Sequence, residues 1–475
     1  MLSVVIDQAA QTPKYQQLQN QIESLIQDGR LTSEQKLPSS RELAEVLNIS
    51  RTSVLKALDN LIAEGVLISQ PKRGVFVAKH QPTLSACKVE SASAIQPAIS
   101  ANVVLDSGAD TRVFPHKVWS KCMRRAWIKP EQGVMEGVYS DGIPALKDQI
   151  CRYLMQLRGL HCQASQITIT AGNRDALSIL HHALLSDCVH QVFLEQTSYP
   201  QIPSLMQFLQ SPTSILKLDG QGAVLPEQIH KGRNLAILTP CRQYPTGISM
   251  SSERRQAWLG FLSKCKKEGQ PFWCIEDDYD NEFVYQGRVN VPLMQQDTSS
   301  SLFFVGSFSK VMFRGLRLGF IVAPKNLSEQ VKASQKVLGL SCSSAVQPVL
   351  AEFMESGAFT SHLRKMRRHY LSKRNALLSL LKPLAPFYRW ESVFGGMHLC
   401  LRLKRRYWYL ESAIAAEAKY QGFSLTTLSS HYISDDKQYG FLVGFSQPDV
   451  STLEQGIACI LAATRICIER NSRSC

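Results

Sequence analysis

The first eighty residues carry three hydrophobic stripes of helical period followed by two short alternating runs. Tyr15, Leu18, Ile22, Leu25 and Ile26 recur at helical spacing, and Gly29 ends the run. After the start signals Pro38 and Ser39, Leu43, Ala44 and Leu47 share one face. Ser50 is a good N-cap for a third helix, whose stripe is Val54, Leu58, Leu61 and Ile62. "GVLISQPKRGVFVA" then reads as two strands around the tip Gln70 to Gly74. Three helices and a hairpin in this order predict a winged helix-turn-helix over 1–79. From 80 to 102, "HQPTLSACKVESASAIQPAISAN" loses periodicity and reads as a flexible linker.

From 103 to 475 the pattern changes. Strand-length apolar runs ("QITIT", "QVFLE", "NLAILTP", "FWCIEDDY", "SLFFVGS", "LGFIVAP") alternate with helical ones such as "RDALSILHHALL". The alternation predicts an α/β body, a mostly parallel sheet covered by helices, with ligands at the carboxyl ends of its strands.

Composition adds exclusions. No apolar run approaches the roughly 18 residues of a membrane span, and the N-terminus lacks a secretory signal, so a cytoplasmic protein without membrane contact is expected. The 13 cysteines are odd in number and contain no C-x-x-C pair; buried reduced thiols are expected, without a metal site. The net charge of +14 suggests a polyanionic partner. Residues 1–79 hold nine Lys/Arg against eight Asp/Glu, so the excess lies almost wholly in the body. There "KCMRR" (121–125), "HLRKMRRHYLSKR" (362–374) and "RLKRRYW" (402–408) are either solvated helix faces or a second contact for nucleic acid.

Candidate chemistry follows the same division. The N-terminal end of the third helix would place Ser50, Arg51, Thr52 and Ser53 in a major groove, and Arg73 at the wing tip could reach the minor groove or the backbone. Winged helices also bind proteins, and spacing alone leaves both readings open. In the body, Gly172, Asn173 and Arg174 open a helix after a strand, a seat for phosphate. Asp277 and Tyr279 follow a buried strand; they either cap a loop or meet a protonated ring nitrogen and a ring oxygen. Ser307, Ser309 and Arg317 flank Lys310 with groups suited to a phosphate monoester. A lone lysine is ordinarily a surface charge, but an ε-amine beside cations can form a Schiff base. A ligand with a phosphate, a basic ring nitrogen and an aldehyde is pyridoxal 5'-phosphate.

The head "KYQQLQNQIESLIQDGRL…LPSSRELAEVLNISRTSVLKALDNLIAEGVL…KRGVFV" resembles the GntR-type winged helix. That resemblance implies DNA contacts from Arg41 and Arg51 and a close backbone approach at Gly74. "GIPALKDQICRYLMQLRGLHC", "ITAGNRDAL", "TPCRQYPTGISMSSERR", "IEDDYDNEF", "GSFSKVMFRGLRLG" and "GGMHLCLRL" resemble the fold type I aminotransferases from about 104 to 460. Together, head and body resemble the MocR family of bacterial transcriptional regulators, and in character its pyridoxal-phosphate-sensing members. The resemblance implies that Lys310 forms the Schiff base, Asp277 holds the pyridinium nitrogen and Tyr279 the ring oxygen. It implies that Ser307, Ser309, Arg317 and the amides of Gly172 and Asn173 hold the phosphate, and that Tyr199 lies near the ring. Tyr139 corresponds to a partner-subunit tyrosine at the phosphate, in a shortened segment.

Four departures bear on function. Tyr244 stands where aminotransferases have the asparagine of "NPTG", as in MocR-like proteins. Residues 441–445 are Phe, Leu, Val, Gly and Phe, without the arginine that forks a substrate carboxylate. Arg314 replaces a proline or small residue, and Arg242 a common histidine. A homodimeric regulator of double-stranded operator DNA is therefore expected, with pyridoxal phosphate (vitamin B6 status) or a small amine as effector. A working aminotransferase with a DNA-binding head is the alternative.

Overall fold

A computed structural model describes residues 4–7, 10, 12–79, 102–186, 188–287, 290–391 and 394–472. The linker expected over 80–102 lies, except for Asn102, outside the described residues. The chain divides into two compact units, Met1–Ile99 and Ser100–Cys475.

In the first unit, α1 (Lys14–Gln27) packs on α3 (Arg51–Ala63), and α2 (Ser40–Leu47) packs against α3 in turn. A capping box fixes the start of α2. The Ser39 hydroxyl accepts from the Glu42 amide, and the Glu42 carboxylate accepts from the Ser39 amide. Asn48, in the left-handed conformation at φ 50°, turns the chain out of α2, and Ser50 caps α3 by accepting from the Ser53 amide at 3.1 Å. Strands β1 (Leu67–Gln70) and β2 (Gly74–Val77) pair antiparallel, with Gln70 opposite Gly74. Leu18, Ile22, Leu43, Val54, Leu58, Leu61, Leu67 and Val77 form the unit's core, as the helical stripes require.

The body is built on a seven-stranded sheet in the order Ile167–Thr170, Gly319–Val322, Leu302–Ser307, Phe272–Asp278, Arg233–Leu238, His190–Glu195, Thr213–Leu216. Gly319–Val322 runs antiparallel to both neighbours; the other pairings are parallel. Ile275, Phe303, Phe304 and Val305 are buried, because helices cover both faces of such a sheet and leave no solvated side to alternate with. A smaller antiparallel sheet orders Tyr388–Arg389, His398–Leu403, Gly440–Gly444 and Thr426–Thr427. Val103–Val104, where the described body begins, pairs parallel with Phe423–Ser424.

Among the described residues one helix, Val450–Ser472, is long and apolar enough to cross a membrane. It instead buries Leu453, Ile457, Ile460 and Ala463 in the body's core.

A buried charge cluster anchors the end of the central strand. Arg158, the last residue of helix Pro144–Arg158, pairs with Asp278 and lies 3.4 Å from Glu282, which also accepts from the Tyr153 hydroxyl. All four side chains are buried. Removing the cation would strand two carboxylates in the core. Arg158→Met should therefore cost about 3–5 kcal/mol, read as a lower denaturation midpoint for the body's unfolding transition in the full chain.

Candidate functional site

The recognition end of the head is solvent-facing. Arg41, Ser50, Arg51 and Thr52 are exposed where α2 turns into α3, and Arg73 and Gly74 are exposed at the hairpin tip. Ser53 is half-buried, and its hydroxyl meets that of Ser50 at 2.8 Å, so this pair also serves the helix cap. Gly74 adopts φ 114°, a backbone conformation that favours glycine; the nearest atom to a Cβ there is the flexible Lys36 Cε at 3.1 Å. The Lys56 ammonium sits over the Tyr15 ring at 4.1 Å, a cation–π contact between α3 and α1.

In the body, the carboxyl ends of three strands of the large sheet bring the distant motifs together. Lys310 lies just past Leu302–Ser307, Asp277 near the end of Phe272–Asp278, and Gly172 just past Ile167–Thr170. The Lys310 amine donates to the Ser107 carbonyl at 2.8 Å and lies 3.1 Å from its hydroxyl. Burial, helped by Arg314 and Arg242 and opposed by Asp106 and Asp280, pushes this amine down to about 8. Asp277 accepts from the Asn173 side-chain amide at 2.5 Å, and burial, with Asp278 and Glu195 adding repulsion, pushes its carboxyl up to about 7. A fixed cation opposite Asp277 would restore its charge.

The Tyr279 hydroxyl is buried beside the Arg242 guanidinium but has no well-aligned hydrogen-bond partner. Its ring stacks on His398 at 6.4 Å and meets the Tyr244 ring edge-on at 5.5 Å. Tyr199, half-exposed, meets Tyr244 from another side at 5.7 Å.

Past Ile167–Thr170, a helix N-terminus, two glycines and one guanidinium come together. Gly172 caps helix Asn173–Leu185 with φ 116°, and the first amides of that helix have no acceptor within it. A Cβ on Gly172 would lie 3.9 Å from Arg317 Nη1, while one on Gly319 would meet the Gly306 carbonyl at 2.9 Å and Gly172 Cα at 3.1 Å. Arg317, itself at φ 50°, closes the turn after Lys310. The Ser309 amide donates to Ser307 Oγ at 3.2 Å.

Residues 100–422 match the family described as aminotransferase class I and II. The chain belongs to the aminotransferase class I and II family. Its head, residues 14–77, matches the gntR family of bacterial regulatory proteins. The body has the fold type I aminotransferase architecture. It superposes on kynurenine aminotransferase from Pyrococcus horikoshii with a TM-score of 0.68 and 20% identity, covering 77% of this chain and 91% of that one. The chain is similar to a probable rhizopine catabolism regulatory protein MocR of Rhizobium meliloti, 28% identical over 97% of this chain and 95% of the relative. It is also similar to a pyridoxine biosynthesis transcriptional regulator, PdxR, of Corynebacterium glutamicum, 28% identical over 95% and 96%.

Set in the aminotransferase architecture, the departures acquire geometry. Tyr244 directs its hydroxyl toward His431 Nε2 at 3.4 Å, and its ring flanks Tyr279. Leu442, in the strand that lacks an arginine at 441–445, is buried with Cys400 and Leu428 and packed by Tyr244 and Tyr432. Arg242 is buried and donates to the carbonyls of Gly395 and His398, with Asp280 at 3.3 Å; its guanidinium is committed to the fold. Arg314 forms a two-pronged pair with Asp106 at 2.6 and 2.7 Å. Tyr139 donates to Glu131. In the 362–374 run, Arg364, Lys365 and Arg368 are exposed, whereas Lys373 is buried on Asp110 at 2.6 Å and Arg367 donates to the Glu282 carbonyl.

Sequence reasoning missed Ser107, which lies far from Lys310 in the chain and carries no local signature. It also missed the side-chain role of Asn173 as a support for Asp277. Among the described residues no cluster of His, Cys, Asp or Glu could hold a metal ion.

The lowered lysine gives a sign and a window. Below about pH 8 the Lys310 amine is protonated; above it the neutral nucleophile predominates. In competitive labelling with acetic anhydride, the peptide bearing Lys310 should reach its plateau rate near that pH. Exposed lysines should keep gaining reactivity to beyond about pH 10.

Proposed function

We propose that this protein is a DNA-binding transcriptional regulator whose body holds pyridoxal 5'-phosphate on Lys310 and reports vitamin B6 status. One observation carries the reading. Adjacent strand ends carry a Lys310 amine lowered to about 8, an Asp277 carboxyl raised to about 7 and a Tyr279 hydroxyl without an aligned hydrogen-bond partner, while residues 441–445 hold no arginine for a substrate carboxylate. These donors and acceptors are of the kinds the ring needs, and the helix N-terminus at Gly172 beside Arg317 supports a phosphate seat.

Each residue has a role in this reading. Asp277, steadied by Asn173, would pair with the protonated ring nitrogen, and Tyr279 would donate to the ring oxygen. Ser307, Ser309, Arg317 and the amides of Gly172 and Asn173 would hold the phosphate, and Tyr199 would border the ring. When bound, the cofactor supplies an aldehyde that condenses with an amine. Lys310 is suited to that condensation because burial and neighbouring guanidiniums favour its neutral form.

In the head (1–79), Arg41, Ser50, Arg51, Thr52 and Ser53 would meet DNA from the start of α3, and Arg73 and Gly74 from the wing. A homodimer in the cytoplasm, reading two half-sites through heads joined by the 80–102 linker to bodies spanning 103–475, accords with these parts. The PdxR relative, described as a regulator of pyridoxine biosynthesis, supports B6 status as the signal. A second reading, an amino compound as effector, is favoured by the exposed Arg314 beside Lys310 and the exposed Tyr199 near Arg314. Transaminase turnover is the lesser use, because the carboxylate fork is replaced.

The deciding experiment combines spectrum and binding. Wild-type protein loaded with pyridoxal phosphate should show a visible absorbance band that Lys310→Ala lacks, and operator affinity should differ about 5-fold or more between free and loaded forms. Equal affinities in the two forms would sink the sensor reading. In the head, Arg51→Ala should weaken operator binding and reduce the salt slope by about one, measured by titration at several salt concentrations.

A further inference from the structure

The loop that carries Lys310 grips one short segment of chain in two places. The Lys310 amine holds Ser107 by its carbonyl and hydroxyl, and Arg314, in the turn just after, holds Asp106 by both carboxylate oxygens. The segment is pressed closely onto the small sheet. The Gly444 amide donates to the Leu105 carbonyl at 3.0 Å, and a methyl at 444 would overlap the Asp106 carbonyl carbon and the Ser107 nitrogen. Ser446 Oγ donates to the Gly108 carbonyl at 2.7 Å. On its other side the segment runs through Val103–Val104, tied to Gly422 and Phe423–Ser424, to Asn102, whose side chain donates to the Lys419 carbonyl. The chain before Asn102 leads to the helix-turn-helix unit. Five positions therefore separate the partner of the lysine amine from the start of the described body.

We propose that the Asp106–Ser107 segment, positioned by Arg314, is the relay that reports the state of Lys310 to the chain leading to the DNA-binding head. This rests on the reading of Lys310 as the Schiff-base lysine and names how that site is read out. The neutral amine has two hydrogens, and both can serve Ser107. Condensation with an aldehyde forms the carbon–nitrogen double bond, and the aldehyde oxygen leaves as water with both of those hydrogens; a protonated amine first loses one proton to solvent. The nitrogen then no longer holds Ser107 as it did. Arg314 stays on Asp106, so the segment moves as a tethered unit and is not simply released. Gly444 supplies the close seat on which the segment rests while the amine holds Ser107.

The test compares free and pyridoxal-phosphate-loaded full-length protein by hydrogen exchange of the 102–108 backbone, alongside visible absorbance and operator titration. Loading should raise exchange at 102–108. In Arg314→Met brought to the same visible absorbance as wild type, the ratio of operator Kd values with and without pyridoxal phosphate should fall to within about twofold of one. Arg314→Lys, which keeps a cation for Asp106, should retain most of the wild-type ratio. Unchanged exchange at 102–108 on loading of wild type, or a full ratio in Arg314→Met, would overturn the relay. Should Arg314→Met fail to load, the exchange comparison in wild type decides alone. A wild-type protein that forms no Lys310-dependent band would instead overturn the cofactor reading itself, so the two failures are distinguishable.

Discussion

The hydrogen bond from the Lys310 amine to Ser107 joins residues 203 positions apart, and the body's functional geometry depends on what makes it possible. A lysine amine withdrawn from water needs acceptors, and the Ser107 carbonyl and hydroxyl provide them. The same burial shifts the amine toward its neutral form. Around it the architecture gathers groups that are poorly satisfied by the protein alone: a carboxyl raised by burial at Asp277, an unpaired Tyr279 hydroxyl, and an orphaned oxygen on Asn173. Buried polar groups left in this condition cost stability, and they are accounted for if a polar ring completes them.

That constraint explains why so much of the surrounding structure is committed to holding strand ends in place. Arg158 neutralises Asp278 and Glu282 just beyond Asp277, so the strand can end in consecutive acids without unravelling. Arg242 braces Gly395 and His398 and approaches Asp280. A Cβ on Gly396 would collide with the Arg242 guanidinium, so that glycine is required by the brace. These cations are consumed by the fold. The guanidiniums of Arg314 and Arg317 remain exposed at the site, one paired with Asp106 and the other beside Gly172.

The head works by different physics. Its charge is nearly balanced, so its preference for a partner rests on placement: exposed arginines at the start of α3 and at the hairpin tip, on a scaffold fixed by two serine caps. The large positive excess belongs to the body. Lys373 and Arg158 are buried against carboxylates that the balance already counts, so these pairs contribute nothing to it.

The helices and wing of the head, the alternating α/β pattern of the body and the Lys310, Asp277, Tyr279 and Gly172 motifs were legible in the sequence because each is a local signal: periodicity, a cap, or a side chain following a strand. What the sequence could not supply was which distant groups meet. Ser107 became the lysine's partner only when the small sheet seated its segment against Gly444, and Asn173 became a support for Asp277 only because the sheet brings their strand ends to the same edge. Arg242 and Arg314 look alike in sequence, as additional arginines near the motifs of the candidate site. The tertiary structure separates them: one is buried on backbone carbonyls, the other is exposed on Asp106. Local patterning fixes what a residue can do, whereas its partners, and hence its charge and freedom, are set by packing between segments far apart in the chain.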